Sequence, residues 1–119
     1  HGAYLKFLTE DCHPITLGAA MCADSAHKTL PVLTGGAYLH IGKDAPALFS
    51  ENVKDALSLF GSTSPSYLIL QSLDLANRYI ANGYRERLAQ CIEALSAMQM
   101  NLKEKGYVFW RGYGSEENL

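Results

Sequence analysis

At 119 residues, 48% of them hydrophobic and 18% charged, the chain has the composition of one modest globular unit rather than of a disordered segment. A net charge of −2 and a pI ≈ 6.1, with Lys and Arg dispersed along the chain, exclude a basic nucleic-acid footprint. No apolar run approaches the ~20 residues a membrane helix needs, and the N-terminus lacks the basic-then-apolar order of a secretory signal, so the expectation is a cytoplasmic protein with no membrane and no nucleic-acid partner.

In chain order, the small, apolar run from Gly18 to Asp24 predicts a buried strand, and Gly36-Ala37-Tyr38-Leu39-His40-Ile41 has the aromatic and β-branched content of a second. Between them Pro31 and the Gly35-Gly36 pair force a turn. Ser50 is placed to cap a helix whose apolar positions Val53, Ala56, Leu57 and Phe60 recur at helical spacing, with Gly61 ending it. Ser64-Pro65 reads as the cap and first position of a second helix running to Asn82-Gly83, with Leu68, Ser72, Leu75, Ala76 and Tyr79 along its core side. A third helix starts near Gly83-Tyr84 and carries Leu88, Cys91, Ile92, Leu95, Met98 and Leu102 to Gly106. Tyr107-Val108-Phe109-Trp110 then reads as a strand.

The three cysteines, Cys12, Cys22 and Cys91, are too irregularly spaced for a zinc or redox pair, and Cys22 and Cys91 sit in apolar runs as expected buried residues. His1, Asp11, Cys12, His13, His27 and His40 are possible metal ligands, but the adjacent side chains of Asp11-Cys12-His13 diverge and no second ligand pair follows at helical spacing. No metal is expected.

The segment Asp24-Ser25-Ala26-His27-Lys28-Thr29-Leu30 carries the chemistry. A lysine delivered from the end of a buried strand is partly desolvated, which favours the neutral amine that a Schiff base needs. Ser25, His27 and Thr29 add hydroxyl and imidazole donors of the kind that hold a phosphate. An isolated Ser-x-His-Lys is also what an ordinary solvated turn contains. Three segments together are more specific: His1-Gly2-Ala3-Tyr4, Ser25-Ala26-His27-Lys28-Thr29-Leu30-Pro31-Val32-Leu33-Thr34, and Ser62-Thr63-Ser64-Pro65-Ser66-Tyr67. In order and spacing they resemble the fold-type I pyridoxal-phosphate enzymes, most closely the ornithine/lysine/arginine decarboxylase family.

That resemblance implies an α/β fold: the edge of the large-domain sheet of a fold-type I enzyme, followed by long helices leading to a C-terminal domain. Residues 1–80 would belong to the pyridoxal-phosphate-binding large domain, and residues 81–119 to the linking helix and the start of the C-terminal domain. Lys28 would be the cofactor lysine, with His27 and Ser25 at the phosphate. Lys28 or His27 would return a proton to the product. His1-Gly2 resembles the end of an Asp-x-Ala-His-Gly element whose His lies against the cofactor ring and whose Asp, which would precede His1, pairs with the pyridine nitrogen. Ser62 or Thr63 would reach the cofactor phosphate of a neighbouring subunit, although Ser64-Pro65 is equally a helix start. The sequence departs from the family where Leu33-Thr34 is followed by Gly35 in place of glutamine.

The function implied is decarboxylation of lysine, ornithine or arginine with pyridoxal 5'-phosphate, by a small-molecule enzyme acting as a homo-oligomer, and by a chain expected here as an incomplete, inactive fragment that pairs with itself or with the remainder of the same protein. The alternatives are another fold-type I reaction, such as an aminotransferase or lyase, and a non-catalytic assembly domain.

Overall fold

A computed structural model describes residues 2–109. A 3-10 turn (Ala3–Phe7) leads through a looped segment to strand β1 (Met21–Asp24), the single-turn helix α1 (Ala26–Thr29) and strand β2 (Tyr38–Ile41). Three longer helices follow, α2 (Ala47–Phe60), α3 (Tyr67–Ala81) and α4 (Tyr84–Glu104). β1 and β2 pair antiparallel with Met21 opposite Ile41, Cys22 opposite His40 and Asp24 opposite Tyr38. Because side chains alternate along a strand, Cys22, Asp24, Tyr38 and His40 share one face of this ribbon.

The core is small and lies beneath α1. Ala3, Ala26, Leu30 and Tyr84 are buried, and Phe7, Val32, Tyr38, Leu73, Ile80 and Leu88 pack around them. The Cα radius of gyration is 17.8 Å, against about 13 Å for a compact domain of this length, and the longest dimension is 55 Å. Helices therefore project from the core rather than close around it.

This openness corrects several expectations. The 18–24 strand is shorter than predicted and only Asp24 at its end is buried, because no further strand flanks β1 among the described residues. The stripe on α2 is not a core: Leu57 is 54% and Phe60 90% exposed, and the helix lines an apolar groove with Met21 and Leu39 instead. On α3 the inward stripe is Ile69, Ser72, Leu73, Ala76 and Ile80, rotated from the one expected, while Leu68 and Leu75 face outward. Small Ala76, fully buried, allows this close approach. On α4 only Tyr84 and Leu88 reach the core, and Ile92, Leu95, Met98 and Cys91 are exposed.

Helix boundaries follow local chemistry. α2 starts earlier than expected, with Pro46 at its N-cap, and Ser50 lies inside it with its hydroxyl donating to the Ala47 carbonyl at 3.0 Å. α3 is capped by Ser66, whose Oγ accepts from the Ile69 N–H, rather than by Ser64. Pro65 restricts Ser64 to extended backbone and delays the helix. Gly83 takes φ +82 between α3 and α4, a conformation open to glycine at little cost. α4 ends in a Schellman arrangement: Gly106 (φ +86) donates to the Lys103 carbonyl and the Tyr107 N–H to that of Leu102. This cap consumes Tyr107, and residues 107–109 form no strand; Trp110, the fourth residue of that expectation, lies outside the described residues.

Candidate active site

The lysine turn is fixed by its neighbours in sequence. α1 is one turn long, and residues four apart lie on the same side, so Ala26 and Leu30 enter the core together. Lys28, between them, must face out, and it is exposed. The expected desolvation of its amine by a buried strand is thus not present in the described residues. Its backbone N–H donates to the Ser25 carbonyl at 3.0 Å, and Leu30 N–H to that of Ala26 at 2.8 Å.

His27 is held more tightly than its position in a loop suggests. Its backbone N–H donates to the Gly36 carbonyl at 3.2 Å, and its ring Nδ1 lies 2.9 Å from the same oxygen. A carbonyl only accepts, so Nδ1 carries the proton. Nε2 of the neutral ring is left with its lone pair, and in the charged ring becomes a second donor. Gly36 itself has no room for a side chain: a Cβ there would run into Val32 Cγ1 and lie 3.2 Å from the Leu33 carbonyl oxygen. Gly35, at φ +96, makes the turn. The glycine pair is therefore what brings the Gly36 carbonyl onto His27.

Three polar groups of the turn have no side-chain partner among the described residues. Ser25 is the N-cap of α1 but its hydroxyl makes no capping bond. Lys28 Nζ forms no ion pair among the described residues. Thr29 Oγ1 is buried with no hydrogen-bond partner, which for a hydroxyl in a packed region is uncommon. Tyr84, buried against Phe7 and Tyr79, donates its hydroxyl to the Thr29 carbonyl at 3.4 Å and supports the turn from below.

Ser25, His27 and Lys28 lie in succession on the α1 turn, with no hydrogen bond or ion pair joining their side chains among the described residues. Ser62 and Thr63 are exposed in the α2–α3 loop, where the Ser62 hydroxyl accepts from the Ser64 N–H at 3.0 Å, and no hydrogen bond among the described residues joins them to the lysine turn. His1 lies outside the described residues.

A second cluster was missed in the sequence. Asp24, the residue before Ser25, is 2% exposed, and its Oδ2 accepts from His13 Nε2 at 2.7 Å while His40 Nε2 lies 3.1 Å away. The His13 ring Nδ1 accepts the Ile15 N–H at 3.3 Å, so its proton sits on Nε2, pointing at Asp24. The Cys22 thiol lies 3.8 Å from Oδ1. Cys22 and Asp24 share a strand face with His40, a signal available from the period-2 alternation, but His13 arrives from the preceding loop and no spacing announced it. This cluster opens on a cleft of about 470 Å³ that Lys6, Tyr38 and Asn77 also line.

A model of the family described as Orn/Lys/Arg decarboxylase, major domain, matches residues 1–112. The chain is similar to an uncharacterized protein, YaaO, of Bacillus subtilis (strain 168), 36% identical over 102 residues covering 80% of this chain and 21% of that protein. It is similar to an arginine decarboxylase of Halalkalibacterium halodurans, 30% identical over 78% of this chain and 19% of that protein, and to one of Bacillus anthracis, 26% identical over 94% of this chain and 22% of that protein. It thus spans about a fifth of the length of these relatives. No solved structure matches it. With nearly its whole length matched by the major-domain model, the chain belongs to the Orn/Lys/Arg decarboxylase family.

Proposed function

We propose that this chain carries the cofactor lysine of a pyridoxal-phosphate-dependent decarboxylase of a basic amino acid, with Lys28 in that role. The observation that carries the reading is the lysine turn itself, where the exposed Lys28 amine forms no ion pair and the Ser25 hydroxyl no capping bond among the described residues, while Ala26 and Leu30 anchor the turn in the core beneath. Such a donor set suits a phosphorylated aldehyde: an amine to hold the carbonyl carbon, and hydroxyl and imidazole donors for the phosphate.

In this reading Lys28 holds the cofactor through its amine, and Ser25 and His27 bind the phosphate. The Gly36 carbonyl orients His27 by fixing its Nδ1 proton, which presents Nε2 as the group that meets an anion when the ring is charged. When bound, the cofactor ring supplies an electron sink for the negative charge left on the substrate's α-carbon as CO₂ departs. Lys28 or His27 would return the proton to that carbon. Ser62 or Thr63 would serve the site of a second subunit. Residues 1–80 fall in the cofactor-binding large domain and 81–119 in the link to a C-terminal domain. The whole protein is cytoplasmic, takes lysine, ornithine or arginine, and works as a homo-oligomer; the 119 residues alone do not turn over substrate.

Reductive trapping tests this. The chain is incubated with pyridoxal phosphate, reduced with borohydride and mapped by peptide mass spectrometry. A pyridoxyl group concentrated on Lys28 is expected, lost in Lys28→Ala and reduced in Ser25→Ala. Equal labelling of Lys28 and the exposed Lys43 would refute the assignment. CO₂ release by a protein of the relatives' full length, assayed with each basic amino acid, tests the reaction; labelling of Lys28 with no CO₂ from any of the three would place the cofactor correctly and the reaction wrongly.

A further inference from the structure

We propose that His13, Cys22 and Asp24, with His40 beside them, form a binding site for one divalent cation of the zinc class. This site is separate from the cofactor lysine and does not depend on the reading given above. The ligand atoms of His13, Cys22 and Asp24 all lie within 4.8 Å of one another. His40 Nε2, 3.1 Å from Asp24 Oδ2 but outside this mutually close trio, would move in as a fourth donor from β2.

Four observations support a cation rather than a closed hydrogen-bond cluster. The donor set is imidazole, imidazole, thiol and carboxylate, the set that zinc takes and that magnesium and calcium do not. Charge balances, since a thiolate and a carboxylate together offset a divalent ion. The Asp24 side chain is 3% exposed, yet its two oxygens are unequally served. Oδ2 faces two imidazoles, while among the described residues Oδ1 meets a thiol at 3.8 Å, a weak donor at long range. A buried carboxylate oxygen left in this state is costly unless something else meets it. Finally, Asp24, His13 and His40 line the open cleft, which gives an ion a route in.

The geometry needs a small adjustment. Zinc bonds of about 2.0–2.1 Å to nitrogen and oxygen set ligand atoms about 3.3 Å apart in a tetrahedron. The His40 to Asp24 separation of 3.1 Å is already close, whereas the His13 to Asp24 separation of 2.7 Å must open. Binding at His13 Nε2 moves the ring proton to Nδ1 and gives up the 3.3 Å contact from Ile15 N–H. The Cys22 thiol loses its proton to solvent as sulfur bonds the metal. One proton therefore leaves per cation bound, and no electron is transferred.

The test uses the 119-residue chain after dialysis against chelator, titrated with zinc alone by calorimetry and with cobalt(II) by absorption. One equivalent of saturable zinc is expected, with about one proton released as read from buffers of different ionisation enthalpy. Cobalt should give a thiolate charge-transfer band. Cys22→Ser should abolish that band and weaken zinc at least ~10-fold, and Asp24→Asn should weaken it at least as much, the lower bound being what loss of even an outer-sphere partner costs. Cys91→Ser should change neither. Cys22→Ser alters one atom in a half-buried side chain, so it keeps the test decisive if Asp24→Asn does not fold. The proposal is overturned by absence of a saturable equivalent, or by zinc affinity and a cobalt band that survive in Cys22→Ser.

Discussion

Gly36→Ala isolates the contact that holds the lysine turn. The added methyl would collide with Val32 Cγ1 and press on the Leu33 carbonyl at 3.2 Å and Ile69 Cγ2 at 3.4 Å. Val32 can rotate, but it is packed on the core, and the Leu33 carbonyl is main chain and cannot move alone. Overpacking of this kind costs about 1–3 kcal/mol. Displacing the Gly36 carbonyl also strains two hydrogen bonds to His27, worth about 1 kcal/mol between them at their present lengths. The expected loss is about 2–4 kcal/mol, roughly a 30- to 900-fold fall in the folded-to-unfolded ratio. Urea denaturation reads it as a lower midpoint at unchanged slope. Nitrogen-15 NMR of the His27 ring should show the Nδ1–H tautomer losing its preference. Gly18→Ala is the control, because Gly18 has φ +99 but nothing within 4 Å of its Cβ position, so it reports backbone strain without collision. A Gly36→Ala midpoint within about 0.5 kcal/mol of wild type, with the His27 tautomer intact, would refute this account of the turn.

Three other outcomes are expected. The Lys6 ammonium, hydrogen-bonded to Asp11 at 2.6 Å, holds the Asp11 carboxyl down from its ordinary 3.8 to about 2, so the stability it contributes is present above pH 4 and is lost as pH falls toward 2; a carbon-13 NMR titration should show this, and Lys6→Met should return Asp11 to the ordinary range. Burial, and then the Asp24 carboxylate, push the Cys22 thiol up from 9.0, so in chelator-treated protein alkylation near pH 9 should modify exposed Cys91 well before Cys22, and equal rates would contradict the packing of β1. Tyr84→Ala should cost about 3–5 kcal/mol by urea denaturation, while Tyr84→Phe, losing only a 3.4 Å hydrogen bond, should cost under about 1 kcal/mol.

The sequence made the helices and the lysine turn legible for different reasons. Gly61, Gly83 and Gly106 end or join helices where punctuation alone placed them, and Ser25-Ala26-His27-Lys28 falls between the two strands as expected. What escaped were the features that depend on partners distant in sequence. Ser66 rather than Ser64 caps α3, a choice between neighbouring serines that Pro65 decides sterically. The α3 stripe turned toward Ile69, Leu73 and Ile80 because these meet the core under α1, and a helical period shows that a stripe exists without saying which of two overlapping stripes is inward. His13 joins Asp24 across a loop with no repeating geometry, so no spacing in the sequence links the two. Asp11 accepts from Lys6, Thr16 and the His13 N–H, while the His13 ring goes to Asp24.

On the function proposed above, the same one-turn helix has to be fixed and to offer a reactive side chain, and the period of the helix separates the two tasks. Ala26 and Leu30 are four apart and bury together, so Lys28, two residues from each, points away from the core by geometry rather than by any interaction of its own. Asp24 before the turn and Gly36 across from it then clamp its two sides, one through His13 and the other through His27. A change at either clamp should move Lys28 without touching it, so Gly36→Ala and Asp24→Asn should both lower borohydride labelling of Lys28 while leaving labelling of exposed Lys43 unchanged. Labelling of Lys28 that follows its exposure alone, indifferent to both substitutions, would mean that the clamps serve stability and not the lysine.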